Sequence, residues 1–354
     1  MKKLTGLLLS IIMLTVVLAA CGGGNNANNG AASPSPTGTA SAGAEDTGST
    51  EVKKVTVQMD GAATPYYAPM YVAKEEGYFE EAGLDVEFVY ADAASIVKNV
   101  GANNVQFGFP NADSVITAKS QGIPVKVVHT TYQHGLGATI FKTDSGIASP
   151  ADLKGKTIGV TSYGSPNYIQ LQVMLQKNGM SIKDVNTKIV GTGAIVNALV
   201  DGQVDAITFS MLRTVELKDQ GVDVSEIRSD EFLPSFGNVV ITSDEFLESN
   251  RDTVIAFNGA LNKAIQYIID GNVDAAVEMA ISKYAQTAEG KQAITAKIIN
   301  EVFIPYLWQS DLTKTDGLGA ADLTRWQGAI DAQKEYEIIQ TDFKAEDLVV
   351  TDLK

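Results

Sequence analysis

The chain has 354 residues, and 27 Lys and Arg side chains against 42 Asp and Glu side chains give it a formal net charge of −15. Such an acidic chain has no excess of cations to neutralise phosphates, so we do not expect it to bind DNA or RNA through a basic surface. One cysteine and two histidines allow no intrachain disulfide and leave little room for a metal cluster or a His-based catalytic triad, so we expect no metal and no cofactor.

Residues 1–20 have the pattern of a secretory signal peptide. Two lysines precede an apolar run from Leu7 to Ala20, which is shorter than the ~20 apolar residues that span a bilayer. The run ends at Cys21, the only cysteine, in an arrangement that resembles the bacterial lipobox. We therefore expect Cys21 to be lipidated and to anchor the protein to the bacterial cell membrane, outside the cytoplasm.

Residues 21–50 are predicted to form a tether. After Cys21 they include no Val, Ile, Leu, Met, Phe, Tyr or Trp and are rich in Gly, Asn, Ala, Ser, Thr and Pro. Such a segment cannot bury enough apolar surface to offset its conformational entropy, so we expect disorder. A folded body is expected over residues 51–354, and no apolar run in it is long enough to span a bilayer.

Short β-rich runs alternate with amphipathic helical patterns throughout this body. The first stretch has predicted strands over 55–59, 84–90, 105–109 and 125–129, and predicted helices over 69–81, 94–102 and 112–120. The second has predicted strands over 153–160, 188–190, 204–209, 224–227 and 238–242, and predicted helices over 167–178, 194–201 and 213–219. Further helices are predicted over 253–270, 274–284, 290–301 and 323–335. The alternation predicts an α/β body with parallel sheets.

An internal repeat links the two stretches. Residues 96–125, shifted by 99, align without a gap on residues 195–224. Any two helix–strand–helix units share apolar spacing, but the Gln-Gly pairs at 121–122 and 220–221 match at the same helix end, which favours duplication. The repeat therefore predicts two related α/β lobes with a cleft between them.

The ends of the predicted strands indicate where a ligand would bind. In open α/β sheets, ligands bind beyond the carboxyl ends of the strands, where helices begin and offer free N–H groups. Aromatic side chains near these ends suit a flat heterocycle, although Tyr66 and Tyr67 could equally pack in the core and Arg213 could equally be solvated. The candidate ligand-binding residues are Asp60, Thr64, Tyr66, Tyr67, Asn111, Ser114, Tyr132, Ser162, Tyr163, Ser165, Phe209 and Arg213.

The run from Tyr66 to Val86 closely resembles the opening of solute-binding proteins for thiamine-pyrimidine precursors and of their relatives for nitrate, sulfonates and taurine. The segments 152–160, 198–206 and 240–250 and Trp326 also match, so the resemblance covers essentially all of 53–350. It implies an α/β, two-lobe periplasmic binding protein-like (type II) fold with interleaved lobes and a hinge. Lobe 1 would comprise 51–140 plus 241–354 and lobe 2 would comprise 141–240, with crossings near 132–146 and 236–242.

The resemblance further implies an extracytoplasmic substrate-binding protein of an ABC importer. Such a protein captures a small molecule in the interlobe cleft and delivers it to a permease, while ATP hydrolysis belongs to a separate ATPase subunit. The implied partners are therefore a small-molecule ligand, the permease with its ATPase, and the membrane through the lipid on Cys21. We expect a monomer.

Two ligand classes remain open. The pyrimidine-binding relatives carry an Asn-Trp-Glu-type segment after the second-lobe strand, whereas this chain has Met211-Leu212-Arg213 there. An acidic group that could pair with an aminopyrimidine is thus replaced by Arg213, whose planar fork suits a carboxylate, sulfonate or phosphate. The expected ligand is a thiamine-precursor pyrimidine-like heterocycle, or a sulfonate or another small anion.

We expect no enzyme activity. Gly155-Lys156-Thr157 looks like the end of a P-loop, but Pro150 stands where the first Gly belongs, and the chain has no nucleophile elbow. The family also resembles a fungal pyrimidine-synthesis enzyme, which works inside cells and uses a cysteine-rich segment. This chain has no cysteine beyond Cys21. The alternative functions are a surface sensor or adhesion lipoprotein of the same fold and, less favoured, such an enzyme.

Overall fold

A computed structural model describes residues 52–163 and 165–353. The predicted signal peptide, the lipidation of Cys21 and the predicted tether all lie outside these residues. None of the helices in the described part of the chain is both long enough and apolar enough to cross a membrane. The strands form two five-stranded sheets, called here the first and the second sheet.

The first sheet contains strands from two distant parts of the chain. Three neighbouring strands are parallel, and the late strand β10 enters antiparallel to both of its neighbours. In spatial order the sheet is β2 (Leu84–Ala91), β1 (Lys53–Asp60), β3 (Phe107–Phe109), β10 (Val240–Ser243) and β4 (Val125–His129).

The second sheet has the same plan. Its fourth strand in spatial order, β5, runs antiparallel to both neighbours. In spatial order the sheet is β7 (Asn186–Ile189), β6 (Thr157–Val160), β8 (Ala206–Ser210), β5 (Gly137–Lys142) and β9 (Val224–Arg228). The two sheets therefore have equivalent strand orders, in which β2, β1, β3, β10 and β4 correspond to β7, β6, β8, β5 and β9.

The prediction of parallel sheets was wrong in one respect, because both sheets are mixed. A parallel neighbour requires a crossover connection within one sheet, usually through a helix. β5 and β10 instead enter directly after the chain has left the other sheet, so no such crossover sets their direction. The sequence analysis also missed β5, which spans the predicted lobe boundary at 140/141. The lobe boundaries themselves stay predictions.

The helices surround these sheets, and the internal repeat is visible among them. Under the shift of 99, β3 corresponds to β8, β4 to β9, and α4 to α7. The helices are α1 (Ala68–Glu75), α2 (Tyr78–Glu81), α3 (Ala93–Gly101), α4 (Ala112–Ser120), α5 (Pro166–Lys177), α6 (Ile195–Val200), α7 (Leu212–Asp219), α8 (Asp244–Ser249), α9 (Arg251–Ile269), α10 (Val273–Lys283), α11 (Gln292–Ile298), α12 (Asp311–Asp316) and α13 (Leu323–Glu335). A π-helical segment, Ile299–Trp308, replaces the end of the helix predicted over 290–301.

Local sequence explains where two of the important helices begin. The Asn111 side chain accepts a hydrogen bond from the backbone N–H of Ser114 at 3.0 Å and so caps α4. Ser165 caps α5 in the same way by accepting from the N–H of Tyr168 at 3.2 Å, with Pro166 in the first position. Each cap satisfies an N–H that would otherwise lack a partner, which is typically worth ~1 kcal/mol.

The two connectors between the sheets, residues 130–136 and 229–239, are held by the final long helix. Trp326 of α13 is fully buried and stacks on Phe236 of the second connector, with ring centroids 4.4 Å apart. Its indole N–H donates to the hydroxyl of Thr130 in the first connector at 3.2 Å. One apolar core cluster contains residues of both sheets, including Val57 and Ile207. The two sheets are thus packed together through a continuous apolar core.

Candidate functional site

Elements of the two sheets meet along a seam in two places, where the turn before α1 lies against α7 and the start of α4 lies against the start of α5. The turn before α1 carries Tyr66, which lies next to Arg213 and Glu216 of α7. The start of α4 carries Ser114, which lines a small cavity together with Pro166 at the start of α5. Since α1 and α4 belong to the first sheet and α5 and α7 to the second, both sides contribute to this seam.

Tyr66 is at the centre of the contacts on the α1–α7 side. Its ring stacks on Phe303 of the π-helical segment, with centroids 5.2 Å apart and planes 12° from parallel. Burial and the neighbouring carboxylate of Glu216 raise the pKa of the Tyr66 hydroxyl, while Arg213 opposes this shift. The phenol therefore stays protonated at neutral pH and keeps its hydrogen-bond donor.

Four aromatic rings close the space behind Tyr66. Tyr132 of the first connector lies 5.7 Å from Phe109 and 5.4 Å from Phe303 in edge contacts, and its hydroxyl donates to the backbone oxygen of Tyr66 at 3.2 Å. Tyr67 in turn meets Phe109 edge-on at 5.6 Å. Tyr66, Tyr67, Phe109 and Tyr132 leave no room for a water-sized molecule among them. A ligand would therefore have to displace or separate Tyr66 and Phe303 to bind against these faces.

Arg213 is half-buried and forms an ion pair. Its guanidinium donates to the carboxylate of Glu216, one helical turn further along α7. The same guanidinium lies 5.6 Å from the centre of the Phe209 ring. Because the ion pair already neutralises its charge, an anion that bound Arg213 would have to compete with Glu216.

Asp60, Tyr67 and Asn111 tie the loops at the ends of β1 and β3 together. The Tyr67 hydroxyl donates to the backbone oxygen of Asp60 at 2.7 Å. Burial raises the pKa of the Asp60 carboxyl, and a hydrogen bond from Asn111 works in the opposite direction. Asn238 of the second connector donates to the backbone oxygen of Phe109 at 2.9 Å. These contacts hold the ends of β1 and β3 and the second connector in position relative to one another.

The other candidates are less closely grouped. Ser162 and Tyr163 lie on the surface, and Tyr163 is 54% exposed, with its ring 5.2 Å from that of Tyr168. Thr64 is half-buried before the turn that starts at Pro65, without a capping hydrogen bond from its side chain. The structure thus brings Tyr66, Tyr132, Phe209 and Arg213 into one contiguous set of contacts, and leaves Ser162 and Tyr163 at its edge.

Two residues at the site were missed by the sequence analysis. Glu216 follows Arg213 at a spacing of three on a predicted helix, and that spacing was a usable signal because such residues are neighbours on one helix face. Phe303 offered no comparable signal, since it lies more than 200 residues from Tyr66 in the chain.

A charged cluster joins the two connectors near the site. Asp230 accepts hydrogen bonds from His134 Nδ1 at 3.0 Å, Tyr306 Oη at 2.7 Å and Arg325 Nη2 at 3.1 Å. Burial opposes ionisation of Asp230, but the hydrogen bonds from His134 and Tyr306 outweigh it and lower its pKa. Tyr306 shares the π-helical segment with Phe303, so this cluster anchors the element that carries the stacked ring. Among the described residues, no group of three or more His, Cys, Asp and Glu side chains could hold a metal ion.

Comparison with known proteins gives a consistent result. The model of the NMT1/THI5 like family matches residues 64–275. Riboflavin-binding protein RibY of Chloroflexus aurantiacus is 28% identical over 278 residues, which is 78% of this chain and 78% of that protein. A 4-amino-5-hydroxymethyl-2-methylpyrimidine phosphate synthase of Aspergillus parasiticus is 29% identical over 231 residues, 61% of this chain and 67% of that protein.

Among solved structures, the periplasmic aliphatic sulphonate binding protein SsuA from Escherichia coli is similar with a TM-score of 0.66. The match covers 83% of this chain and 96% of that chain, at 15% identity. At this identity the likeness concerns the fold alone, and it confirms the predicted periplasmic binding protein-like fold class.

Proposed function

The chain belongs to the NMT1/THI5-like family, and from this premise we propose that it is the substrate-binding component of an ABC importer. It captures a small organic molecule between two lobes, 51–140 plus 241–354 and 141–240, and delivers it to a permease. A relative named for riboflavin binding, matched over 78% of both chains, supports a binding role. Contacts from both lobes to one ligand would stabilise the closed arrangement.

The observation that carries this proposal is the meeting of Tyr66, Phe303 and Glu216. Two stacked aromatic rings from lobe 1 lie next to a carboxylate from lobe 2. A flat nitrogen heterocycle with an N–H donor matches both features, because its face can stack on a ring while its donor bonds the carboxylate. Stacking contributes ~0.5–1.5 kcal/mol beyond area burial, and a hydrogen bond to a charged group ~1.5–3 kcal/mol.

Glu216 could replace the acidic residue that the pyrimidine-binding relatives carry and that this chain lacks at position 213. Arg213 stands where those relatives carry an acidic residue, yet Glu216 brings a carboxylate to the same end of α7. The heterocycle is therefore our first candidate ligand. A sulfonate or another small anion is the second, because Arg213 lies at the seam.

Arg213→Ala separates the two ligand classes. We expect the variant to keep its affinity for an aminopyrimidine within about threefold, since Arg213 only pairs with Glu216 in this arrangement. Affinity for an alkanesulfonate would be abolished if that ligand were gripped by the guanidinium. Isothermal titration calorimetry of the wild type and of Arg213→Ala with both ligands measures the two affinities. Loss of aminopyrimidine binding in the variant would contradict the proposal that Arg213 only pairs with Glu216.

The proposed function is tested by a thermal-shift screen of aminopyrimidines, thiamine, riboflavin, taurine, alkanesulfonates, nitrate and aromatic acids. A ligand at 100 times its dissociation constant stabilises the native state by about 2.7 kcal/mol, which raises the melting temperature by several degrees. If no compound raises it, the importer proposal loses its main support. Recovery of the bound compound unchanged by mass spectrometry separates a binding protein from a synthase.

A surface sensor or adhesion lipoprotein remains the alternative from another functional class. Genes for a permease and an ATPase next to this gene would support transport, and their absence would weaken it. Uptake of the identified ligand should fall in a strain that lacks the protein, which a sensor would not require.

We also propose that the protein is held on the outer face of the cell membrane through a lipid on Cys21. Cys21→Ser should release it from the membrane fraction into the soluble fraction, because the thioether-linked anchor cannot form. Immunoblots of the two fractions provide the measurement. Retention of the variant in the membrane fraction would refute lipidation at this position.

A further inference from the structure

A cavity of about 80 Å³ lies on the seam where the start of α4 meets the start of α5. Its lining includes Asp113 of α4, Ile169 of α5, Leu233 of the second connector and Gln333 of α13. No other titratable side chain in the described part of the chain lines this cavity besides Asp113. The cavity therefore places a single carboxyl group between elements of both sheets.

Asp113 has one hydrogen-bond donor beside it and no cation. Gln333 Nε2 donates to Asp113 Oδ1 at 3.0 Å. Burial raises the pKa of the Asp113 carboxyl to about 6, and the hydrogen bond from Gln333 opposes this shift only in part. No charged side chain in the described part of the chain contributes to the shift. Buried carboxylates are normally paired with a cation, so the ionised form is costly in this place.

The charged groups of the surrounding elements are held away from this carboxyl. Lys119 of α4 and Lys177 of α5 lie in the last turns of their helices, whereas the cavity is at the first turns. Asp230 of the second connector belongs to the charged cluster described above, and Lys334 of α13 donates to a backbone oxygen after the helix. Tyr336 packs beside the cavity, and burial raises its pKa further above neutrality. The other charged residues of these segments are exposed to solvent: Glu231, Asp331, Glu335 and Glu337.

The amide oxygen of Gln333 is a second sign that the carboxyl takes up a proton. Gln333 is 2% exposed, and its Oε1 has no hydrogen-bond partner. An ionised carboxylate offers only acceptors, whereas a protonated carboxyl also has an O–H donor. A carboxylic acid and a primary amide can form two hydrogen bonds with each other. Protonation of Asp113 thus supplies the pair with a donor that the ionised form cannot supply.

The cavity lies in an interface between elements of the two proposed lobes. Val173 of α5, Leu233 of the second connector and Ala332 of α13 form one buried apolar cluster, and Leu233 also lines the cavity. α5 and Leu233 belong to lobe 2, whereas α4 and α13 belong to lobe 1. Separation of the lobes would admit water to Asp113, and water removes the cost of ionising it.

We propose that Asp113 couples closure of the two lobes to the uptake of a proton, a proposal that rests on the proposed two-lobe function. A neutral carboxyl paired with Gln333 fits the closed arrangement, and an open arrangement lets the carboxyl ionise in water. Acid therefore favours closure. With a pKa of about 6 in the closed arrangement and ~4 in water, the ratio of closed to open molecules should rise about tenfold from pH 7.5 to pH 5.

Asp113→Asn replaces the carboxyl by a neutral amide of the same size, which mimics the protonated form. The pKa of Asp113 is higher in the folded protein than in the unfolded chain, so its stabilising contribution is present below about pH 4 and is lost as the pH rises through about 6. We expect the variant to melt about 3–5 °C above the wild type at pH 7.5 and within about 1 °C of it at pH 5. The comparison at one pH cancels the titration of all other groups.

Asp252→Asn is the matched control. Asp252 is exposed in the first turn of α9, and Asp113 is likewise in the first turn of α4, so both changes remove a carboxylate from a helix start. The control should melt no higher than the wild type at either pH.

Hydrogen–deuterium exchange of the wild type and Asp113→Asn, measured at the same pH, tests the link to closure. At pH 7.5 the amides near the starts of α4 and α5 should exchange several-fold faster in the wild type than in the variant. At pH 5 the two proteins should exchange alike. A carbon-13 NMR titration of the wild type adds a measurement that needs no variant, and the carboxyl signal of Asp113 should titrate near pH 6.

Three results would each overturn the proposal. They are a difference in melting temperature that is the same at both pH values, equal exchange of α4 and α5 in the two proteins at pH 7.5, and titration of the Asp113 carboxyl near pH 4. None of these measurements uses a ligand. Failure of the ligand screen would therefore count against the importer function alone and is distinguishable from failure of this proposal.

Discussion

Replacing Glu216 by Gln is expected to weaken binding of an aminopyrimidine by about 10- to 100-fold. The change keeps the size of the side chain but removes the charge next to Tyr66. A hydrogen bond to a charged group is worth ~1.5–3 kcal/mol, and each 1.4 kcal/mol corresponds to about tenfold in affinity. Isothermal titration calorimetry with 4-amino-5-hydroxymethyl-2-methylpyrimidine measures the loss directly.

The same variant makes the opposite prediction for an anionic ligand. Without the carboxylate, Arg213 loses its ion-pair partner and becomes available to a sulfonate. Binding of an alkanesulfonate by Glu216→Gln should then become stronger than in the wild type. The two ligand classes thus predict changes of opposite sign from one substitution.

A matched control lies on the same helix. Asp219 is the last residue of α7 and pairs with Lys297 at 3.0 Å. Asp219→Asn removes one negative charge from α7 as well, and we expect affinity within threefold of the wild type. If both variants bind the pyrimidine as the wild type does, Glu216 has no role in recognition.

Phe303→Ala is expected to reduce the free energy of unfolding by about 3–5 kcal/mol. Phe303 is 1% exposed, and its ring contacts those of Tyr66, Tyr132 and Trp308. Truncation leaves a cavity between the rings of Tyr66, Tyr132 and Trp308. These rings belong to different segments of the chain, so they cannot all move in to fill it. Urea unfolding followed by tryptophan fluorescence gives the difference.

Phe303→Leu separates the stability effect from the ligand effect. It retains most of the apolar volume, so we expect a cost below about 1.5 kcal/mol. It nevertheless removes the aromatic face, and affinity for a stacking heterocycle should fall several-fold. A Phe303→Ala variant as stable as the wild type would show that the ring is not packed as described, and undiminished affinity in Phe303→Leu would exclude stacking on Phe303.

The local features of the site were predictable from sequence. The positions of α4, α5 and α7 follow from apolar periodicity and from capping residues such as Asn111 and Ser165, which act within a few residues. The shift of 99 between the repeats correctly related β3 to β8 and β4 to β9. Tyr66 was placed immediately before the first helix, where the structure has it.

Most features that were missed depend on distant parts of the chain. One missed feature is local, because Glu216 follows Arg213 by three residues on one predicted helix. The proposed contact of Arg213 with a ligand stays a prediction. The ring that stacks on Tyr66 comes from a π-helical segment, whose irregular period cannot be read as an amphipathic pattern. Tyr163 was predicted to bind the ligand; it lies on the surface, and its role stays a prediction.

The sequence by itself determined the α/β alternation, the duplicated unit and the strand ends at which a ligand would bind, because periodicity, capping and turn chemistry operate over a few residues. Only the tertiary structure decided the antiparallel entry of β5 and β10 and the pairing of Tyr66 with Phe303 and Glu216. These depend on which segments meet after folding, and such contacts arise from packing between residues that are far apart in the chain.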